Sequence, residues 1–423
     1  MRRLPSVLLP IAGLALACSV EEPTGPTGSG QPTAEQRPAG TTDAALTTIT
    51  FIDQAGSVGW YTSLVSGGDG RQHITYQDRS NFDLKYATCA SGCGSSSNWT
   101  KGFIDQTGSV GQHSSLEVGS NGRRHVAYRD ETNQDLKFAT CAPTADCSLA
   151  ASWTKARVDT QDDAGLATGL TLGADGRRHV SYLRRQMAGA GQSMALLYAT
   201  CSSACGQAAN WIKVTVDEGP DATAVTEDFL GTSIAIGRNG RRHISYLNSA
   251  GSDLRYATCL SGCDQAANWQ KVTVDAGAVQ IGFNSSLAVG PDGAVHIGYL
   301  NSTNADLKYA RCASDCAKAS NWTKLPVAAS GFVGAFPSLA LDASGRIHIS
   351  YHDWGIEALS YATCKGGCLS PLGWSRQVLD DNGQSVGQFT SLTARDGVVR
   401  ISYYDDGNDD LKFLTSAPLV NPF

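Results

Sequence analysis

The sequence predicts an all-β chain, a seven-bladed β-propeller of four-stranded blades whose ring is closed by the N-terminal strand. Three observations predict it. First, one block recurs: Gly70-Arg-Gln-His-Ile-Thr-Tyr76, Gly122-Arg-Arg-His-Val-Ala-Tyr128, Gly176-Arg-Arg-His-Val-Ser-Tyr182, Gly240-Arg-Arg-His-Ile-Ser-Tyr246, Gly293-Ala-Val-His-Ile-Gly-Tyr299 and Gly345-Arg-Ile-His-Ile-Ser-Tyr351, with a degenerate Gly397-Val-Val-Arg-Ile-Ser-Tyr403. Second, the marker positions 73, 125, 179, 243, 296, 348 and 400 are spaced by 52, 54, 64, 53, 52 and 52 residues, a period of one propeller blade. Third, each unit holds four short apolar runs between Gly-, Asn- and Asp-rich turns, too short for helices and the right length for strands.

The N-terminus reads as an export signal. Met1-Arg-Arg supplies the positive start, Leu4 to Leu16 the apolar run, and Ala17 a small residue before Cys18. The run is too short to span a bilayer as a helix. Leu14-Ala-Leu-Ala-Cys18 resembles a bacterial lipobox, although Ala15 stands where Leu is usual. The resemblance implies a lipidated Cys18, membrane contact only through that anchor, and residues 1–18 as signal peptide. Cleavage near Ala17 without lipidation is the other reading. Residues 19–46 are rich in Pro, Gly and Thr, a tether rather than a folded segment. Ser19 after the cysteine resembles lipoproteins sorted to an outer membrane, so the expected location is the outer membrane or surface of a Gram-negative cell.

Residues 47–423 form the repeat domain. In the second unit, Ser114-Ser-Leu-Glu-Val118 ends at a Ser-Asn-Gly turn, and Gly122 suits the hairpin that follows. Arg123 to Tyr128 is the next strand, Leu136-Lys-Phe-Ala-Thr140 the third, and Trp153-Thr-Lys-Ala-Arg-Val158 the fourth. The Trp-type strand opens six times, at Trp99, Trp153, Trp211, Trp269, Trp322 and Trp374. The last unit lacks one. Thr47-Thr-Ile-Thr-Phe-Ile-Asp53 is a Trp-less relative at the start of the domain, and its pairing with the last unit would leave no open sheet edge. Blades that begin at the Trp strand are the alternative phasing. The small Ser-Ser-Leu-Ala-Val runs suit the crowded inner position and favour the first version. The third unit is longer, with insertions around Met187 to Gly191 and Glu218 to Asp228.

Thirteen cysteines comprise Cys18 and six close pairs: Cys89 with Cys93, Cys141 with Cys147, Cys201 with Cys205, Cys259 with Cys263, Cys312 with Cys316 and Cys364 with Cys368. An even set in an exported chain predicts disulfides. Zinc is the rival, but it needs four ligands per site and no His follows in these loops. Net charge is −6, so no basic footprint for nucleic acid is present.

The pattern Ser-Leu-Ala, Asp-Gly-Arg-x-His-Ile-x-Tyr and Asp-Leu-Lys-Tyr-Ala resembles repeats of bacterial secreted seven-bladed propellers, and is weakly similar to sialidase-type and lectin propellers. The resemblance covers residues 47–415 and implies the fold, not an activity. The Ser-x-Asp-x-Gly-x-Thr-Trp box of sialidases is not present as such, nor is an evident arginine triad. By analogy, ligands are expected where inter-blade loops and second-to-third-strand turns share one face. There lie Tyr61, His113, Ala167, Gly231, Asn284, Phe336 and Phe389, with Trp60 and Phe283 beside them. Two residues after the marker Tyr lie Asp78, Asp130, Arg184, Asn248, Asn301, Asp353 and Asp405. Blades one, two, six and seven carry both an Asp and an aromatic or His. The expected binding set is therefore Trp60, Tyr61, Asp78, His113, Asp130, Phe336, Asp353, Phe389 and Asp405, with a glycan or a surface protein as partner. The opposing reading is that the Asp residues cap turns. The six histidines at equivalent positions read as blade scaffolding.

Asn81-Phe-Asp83, Asn133-Gln-Asp135, Asn304-Ala-Asp306 and Asn408-Asp-Asp410 invite calcium, yet each turn offers about three oxygens where calcium takes six or more; no cofactor is expected. No Gly-x-Ser-x-Gly elbow, His-Glu-x-x-His or P-loop appears. The sequence thus predicts a monomeric, non-catalytic binding propeller. A sialidase-like glycoside hydrolase or lyase is the alternative, with the four Asp as its candidate carboxylates. An envelope scaffold is the third reading.

Overall fold

The computed structural model describes residues 47–186, 193–220, 226–248, 253–277 and 281–417. The signal segment, Cys18 and the tether lie outside the described residues, as do Met187 to Gly191 and part of the second insertion of unit three. Seven antiparallel four-stranded sheets are present, six of them each built from four consecutive strands. Blade one runs Val58–Ser66, Gln72–Asp78, Asp83–Cys89 and Trp99–Asp105. Blade seven takes Val386–Arg395, Val398–Asp405 and Asp410–Ser416, and its outer strand is Thr47–Asp53. Thr48 faces Thr415 and Thr50 faces Phe413 in that closing pair. Both strand phasing and closure are as the sequence predicts. Among the described residues no helix is long and apolar enough to cross a membrane.

The first strand of each blade meets those of its two neighbours around the axis. Their small residues have a specific job there. Ser63 Oγ accepts from the Leu116 amide of the next blade (3.0 Å), Ser115 from Leu170 (2.9 Å), Ser233 from Leu287 (3.0 Å), Ser286 from Leu339 (3.0 Å), Ser338 from Leu392 (2.9 Å) and Ser391 from Leu64 (2.9 Å). Gly169 stands at the serine position between blades three and four, where a side chain would meet Thr232 O. Six of the seven inner strands also carry a glycine of positive φ near their start: Gly59, Gly111, Gly165, Gly282, Gly334 and Gly387. Gly334, at φ +96, is an example: a Cβ there would lie 2.6 Å from Leu307 Cα of the preceding blade, so only glycine permits that approach.

The outer layers are stapled in two ways. All six cysteine pairs are disulfides, as the sequence predicts: Cys89 to Cys93, Cys141 to Cys147, Cys201 to Cys205, Cys259 to Cys263, Cys312 to Cys316 and Cys364 to Cys368, with Cα–Cα distances of 5.7–6.0 Å. Both sulfurs of each pair are thereby occupied, which leaves no thiolate for the rival zinc reading. The second cysteine of each pair has a further role that its sulfur does not show. Its carbonyl accepts the indole N–H of the Trp six residues on: Trp99 donates to Cys93 (2.9 Å), Trp153 to Cys147 (2.9 Å), Trp211 to Cys205 (2.9 Å), Trp269 to Cys263 (3.0 Å), Trp322 to Cys316 (2.9 Å) and Trp374 to Cys368 (3.2 Å). Cys147 and Cys263 are buried among the apolar side chains, whereas Cys368 packs at the margin, half-buried. The indole then packs on the third strand of the preceding blade: Trp99 on Phe413, Trp153 on Tyr86, Trp211 on Phe138. Each buried indole removes on the order of 200 Å² from water, an upper contribution of about 5 kcal/mol at ~25 cal/mol per Å².

Charge fills the space between blades. The last residue of one fourth strand is an Asp that accepts from the marker Tyr of the next blade. Asp53 accepts from Tyr76 (2.8 Å), Lys85 (2.6 Å) and Lys101 (3.0 Å). Asp105 does so with Tyr128, Lys137 and Lys155, and Asp275 with Tyr299, Lys308 and Lys324. Blade six has lost the unit together: Ala328 replaces the Asp, and Ser360 the first Lys. A buried carboxylate and a buried ammonium are each costly alone; here both are absent, whereas Asp159, with Leu197 at the first Lys position, keeps Arg184 (3.6 Å) and Lys213 (2.9 Å) as its cations.

The marker histidines are scaffold, as the repeat count argues. His73 Nδ1 pairs with Tyr86 Oη (2.5 Å), His243 with Tyr256 (2.6 Å) and His296 with Tyr309 (2.6 Å). Burial pushes their imidazoles down to about 4, so they are neutral at physiological pH.

Candidate functional site

The residues expected in inter-blade loops lie instead inside the first strands. Tyr61 (φ 50), His113 (51), Ala167 (51), Asn284 (48), Phe336 (50) and Phe389 (50) all adopt the left-handed conformation. Each falls where strand register slips, between Trp60 and Ser63 in blade one and between Ala335 and Ser338 in blade six, for example. The hydroxyl of the next blade holds several of these bulges. Ser114 donates to Tyr61 O (2.9 Å), Thr390 to Phe336 O (2.9 Å) and Thr62 to Phe389 O (2.8 Å). Left-handed backbone at an aromatic costs of order 1–3 kcal/mol. Its effect here is to gather side chains at one end of the axis.

There the rings touch in sequence. His113 lies 4.6 Å from Tyr61, Tyr61 4.7 Å from Phe389, and Phe389 4.5 Å from Phe336, centroid to centroid. Trp60 lies 5.0 Å from both Phe389 and Tyr404, with the Arg79 guanidinium 4.0 Å over its ring. The structure therefore brings together Trp60, Tyr61, His113, Phe336 and Phe389 in one aromatic cup, to which Phe283, Trp354 and Tyr404 also belong. Trp60, Tyr61 and Trp354 are half-buried; the rest are buried.

The four aspartates of the expected set are bound into their own turns. Asp78 accepts from the amide and side chain of Asn81 (3.1 Å each), with Lys85 Nζ at 3.7 Å. Asp130 accepts likewise from Asn133 (3.0 Å each), with Lys137 at 3.4 Å. Asp405 accepts from Asn408 and Asn382 and lies 2.6 Å from Lys412. Asp353 accepts from the Gly355 amide (3.0 Å), and burial raises its pKa. A turn that needs its carboxylate for capping and lysine pairing leaves none over for a pair of hydrolytic acids.

The charged groups at the cup come from other positions. Arg129, next to Asp130 and only 3% exposed, donates to Asp163 (2.8 Å) and to Glu227. Arg185 reaches the same two carboxylates, Glu227 at 3.0 Å and Asp163 at 3.5 Å. Burial opposes the charge on Glu227, but Arg129 and Arg185 overcome it and lower its pKa. Asp163 is raised: burial and the Glu227 charge outweigh the same arginines.

Glu227 and Asp228 end the second insertion of unit three, and with Phe229 they form a strap across the cup. The Tyr61 hydroxyl donates a hydrogen bond to Asp228 Oδ1, and the Asp228 backbone carbonyl accepts from Asn284 (2.7 Å). Phe229 packs on Phe283, Phe336 and Trp354 at 5.6–5.8 Å. Burial, then the Asp228 charge, raises the Tyr61 pKa well above the usual tyrosine value.

Several polar atoms at this end are buried with no hydrogen-bond partner: His113 Nε2, His352 Nε2, Gln112 Oε1 and Asn284 Oδ1. Such groups cost free energy unless a ligand or water meets them. Burial, and then Arg129, push His113 down to about 3, which keeps its ring neutral. Sequence reasoning missed Arg129, Asp163, Arg185, Glu227 and Phe229. The available sign was variation within the repeat: the Arg129 column reads Gln77, Arg129, Leu183, Leu247, Leu300, His352 and Tyr404.

At the opposite end of the strands, three grooves of about 500, 590 and 680 Å³ lie between neighbouring blades. Each is walled by a Gly-turn of one blade and the cystine loop of another, so each is a product of the repeat.

No protein-family model matches the sequence, and no curated protein is similar to it. Solved structures are similar in fold. A polysaccharide lyase, Uly1, is 10% identical with a TM-score of 0.51 over 87% of this chain and 91% of its own. An α-L-arabinanase of Penicillium chrysogenum complexed with arabinobiose is 12% identical (TM-score 0.49; 72% and 92% covered). An intramolecular trans-sialidase of Ruminococcus gnavus is 10% identical (TM-score 0.43; 88% and 98% covered). At these identities the likeness is one of fold alone: the chain is a β-propeller of seven four-stranded blades.

Proposed function

We propose that the protein is a carbohydrate-active propeller that takes a polysaccharide chain across the axial cup and cleaves it, rather than only holding it. The observation that carries this is the pairing of Tyr61 and His113 on an aromatic floor. Sugar C–H faces stack on such rings. The neutral His113, with an unpartnered and buried Nε2, is in the form that accepts a proton. The Tyr61 hydroxyl, held protonated by its surroundings, is in the form that donates one. The paired-carboxylate hydrolysis expected of Asp78, Asp130, Asp353 and Asp405 is not supported, because those side chains cap turns. A polysaccharide lyase shares the fold, and its class of chemistry needs a base and an acid rather than two carboxylates.

Reducing-end release from a panel of neutral and acidic polysaccharides tests this. Tyr61→Phe and His113→Ala are expected to lower turnover about a hundredfold each while the chain still binds. Non-catalytic retention is the second reading, favoured by the strap that covers Tyr61. Binding without release of ends, lost in Phe389→Ala, would select it.

We also propose that the protein is exported and held at the cell surface through a lipid on Cys18, with residues 19–46 as spacer, and works as a monomer without a cofactor. The six disulfides support an oxidising compartment.

A further inference from the structure

We infer that the ligand of the axial cup is a carboxylate-bearing polysaccharide, a polyuronate, and that the Glu227-Asp228-Phe229 strap is its internal stand-in, displaced when the chain binds. The inference rests on the reading of the cup as a sugar site and adds the charge of the sugar. It starts from the length of unit three. The spacing across it is 64 residues where the others are 52 to 54, a surplus shared by the insertion around Met187 to Gly191 and the one that leads into the strap, and the strap places Glu227, Asp228 and Phe229 where blades one and two have Ser57/Ser109, Val58/Val110 and Gly59/Gly111.

The three consecutive residues of the strap meet three separate features of the cup. Glu227 spans Arg129 and Arg185. Asp228 takes the Tyr61 hydroxyl. Phe229 lies against Phe336 and Trp354, where a sugar face would stack. An acid, an acid and a flat apolar group at successive positions are the chemistry of an acidic glycan written in amino acids.

The blade architecture does not itself require Arg129. The equivalent residues elsewhere are mostly uncharged, and Leu183, Leu247 and Leu300 fill three of the seven places. With the strap away, Arg129 keeps Asp163 as its acid partner (2.8 Å), and the guanidinium edge now on Glu227 faces the cup. A planar guanidinium matches a carboxylate in two-point geometry. The unpartnered Nε2 of His113, a ring contact away from Tyr61, is the second sign that the strap completes the cup only partly. A stand-in that matched every group would leave no such atom. No bond is made or broken in this exchange: one carboxylate replaces another on the same arginines, and the strap leaves as the chain arrives.

A strap that occupies the site lowers apparent affinity by the fraction of molecules in which it is displaced. The test therefore weakens the strap rather than the cup. Full-length wild type and a Glu227→Gln/Asp228→Asn variant are titrated with polygalacturonate, its methyl ester and a neutral arabinan, by calorimetry and tryptophan fluorescence. Of the eight tryptophans, Trp60 and Trp354 report on the cup. Wild type should bind the acid polymer, the ester about tenfold or more weaker, and the variant should bind the acid polymer about tenfold tighter. Should the variant fold poorly, the ester comparison reads the same point on wild type alone. Equal binding of ester and acid, or no tightening in the variant, overturns the inference. Binding of arabinan alone, lost in Phe389→Ala, also overturns it while the cup remains a sugar site. Failure of both proteins to bind any polymer removes the sugar reading itself.

Discussion

Asp105→Ala is expected to cost about 3 kcal/mol, and adding Lys137→Ser should return at least half of it. Asp105 is fully buried and accepts from Tyr128 (2.8 Å), Lys137 and Lys155 (3.2 Å). Truncating one member of a buried ion pair costs roughly 3–5 kcal/mol, chiefly because the other charge is stranded. Lys137 retains Asp130 at 3.4 Å, which places the loss at the low end. An unfolding entropy of about 2.1 cal/mol/K per residue over roughly 370 residues gives ~0.8 kcal/mol per degree. The single variant should therefore melt about 4 °C below wild type. The junction of blades five and six supplies the control: Ala328 already ends the fourth strand of blade five, and Ser360 faces Tyr351 in blade six. The double variant copies that solution, removing the stranded ammonium together with its partner. Calorimetry on the oxidised protein measures both. A single variant within a degree of wild type, or a double variant that melts lower than the single, would refute the reasoning that these charges are held as a unit.

Two further predictions concern the scaffold. Acid should destabilise the protein well above the carboxylate range. His179, fully enclosed and bonded to Tyr198 (2.5 Å), is pushed down to about 4 by burial and then by Arg242. Its unfolded value is near 6.5, so its contribution is complete above that pH and fades as pH falls from 6.5 towards 4. At pH 5 one such histidine costs about 2 kcal/mol by linkage. His179→Gln should shrink the stability lost between pH 7.5 and pH 5 by that amount in denaturant titrations, and an unchanged pH profile would contradict it. Gly334→Ala should destabilise by about 2 kcal/mol or more, from its positive φ and the Leu307 backbone 2.6 Å away; Gly68→Ala, with nothing within 4 Å, should change the midpoint by less than about 0.5 kcal/mol. Equal effects at the two glycines would remove the close-approach argument.

The scaffold was legible because it repeats. A Trp with a Cys pair beside it in six blades, a His in the same six and a Tyr in all seven stand at fixed offsets, and the structure gives them recurring bonds within and between blades. The closing strand was legible for the same reason, as the missing copy of a counted element. The cup was legible only in part. Tyr61, Phe336 and Phe389 stand out as large residues in a column that also holds Ala167 and Gly231. Their left-handed backbone could not be read, because no residue type there demands it; it is imposed by hydroxyls of the next blade. The aspartates misled for a physical reason. Asp78, Asp130 and Asp405 recur at one offset, and recurrence marks what the fold requires, here a turn cap. Arg129 sits one residue from Asp130 and occurs once in its column. In a repeat, a residue that the architecture does not require at its position, and that is charged and buried, must be stabilised by something particular to that place. Here that is Asp163 and a strap found in one unit alone. The informative signal was the departure from the repeat, in sequence and in length, and both departures lead to the same end of the axis.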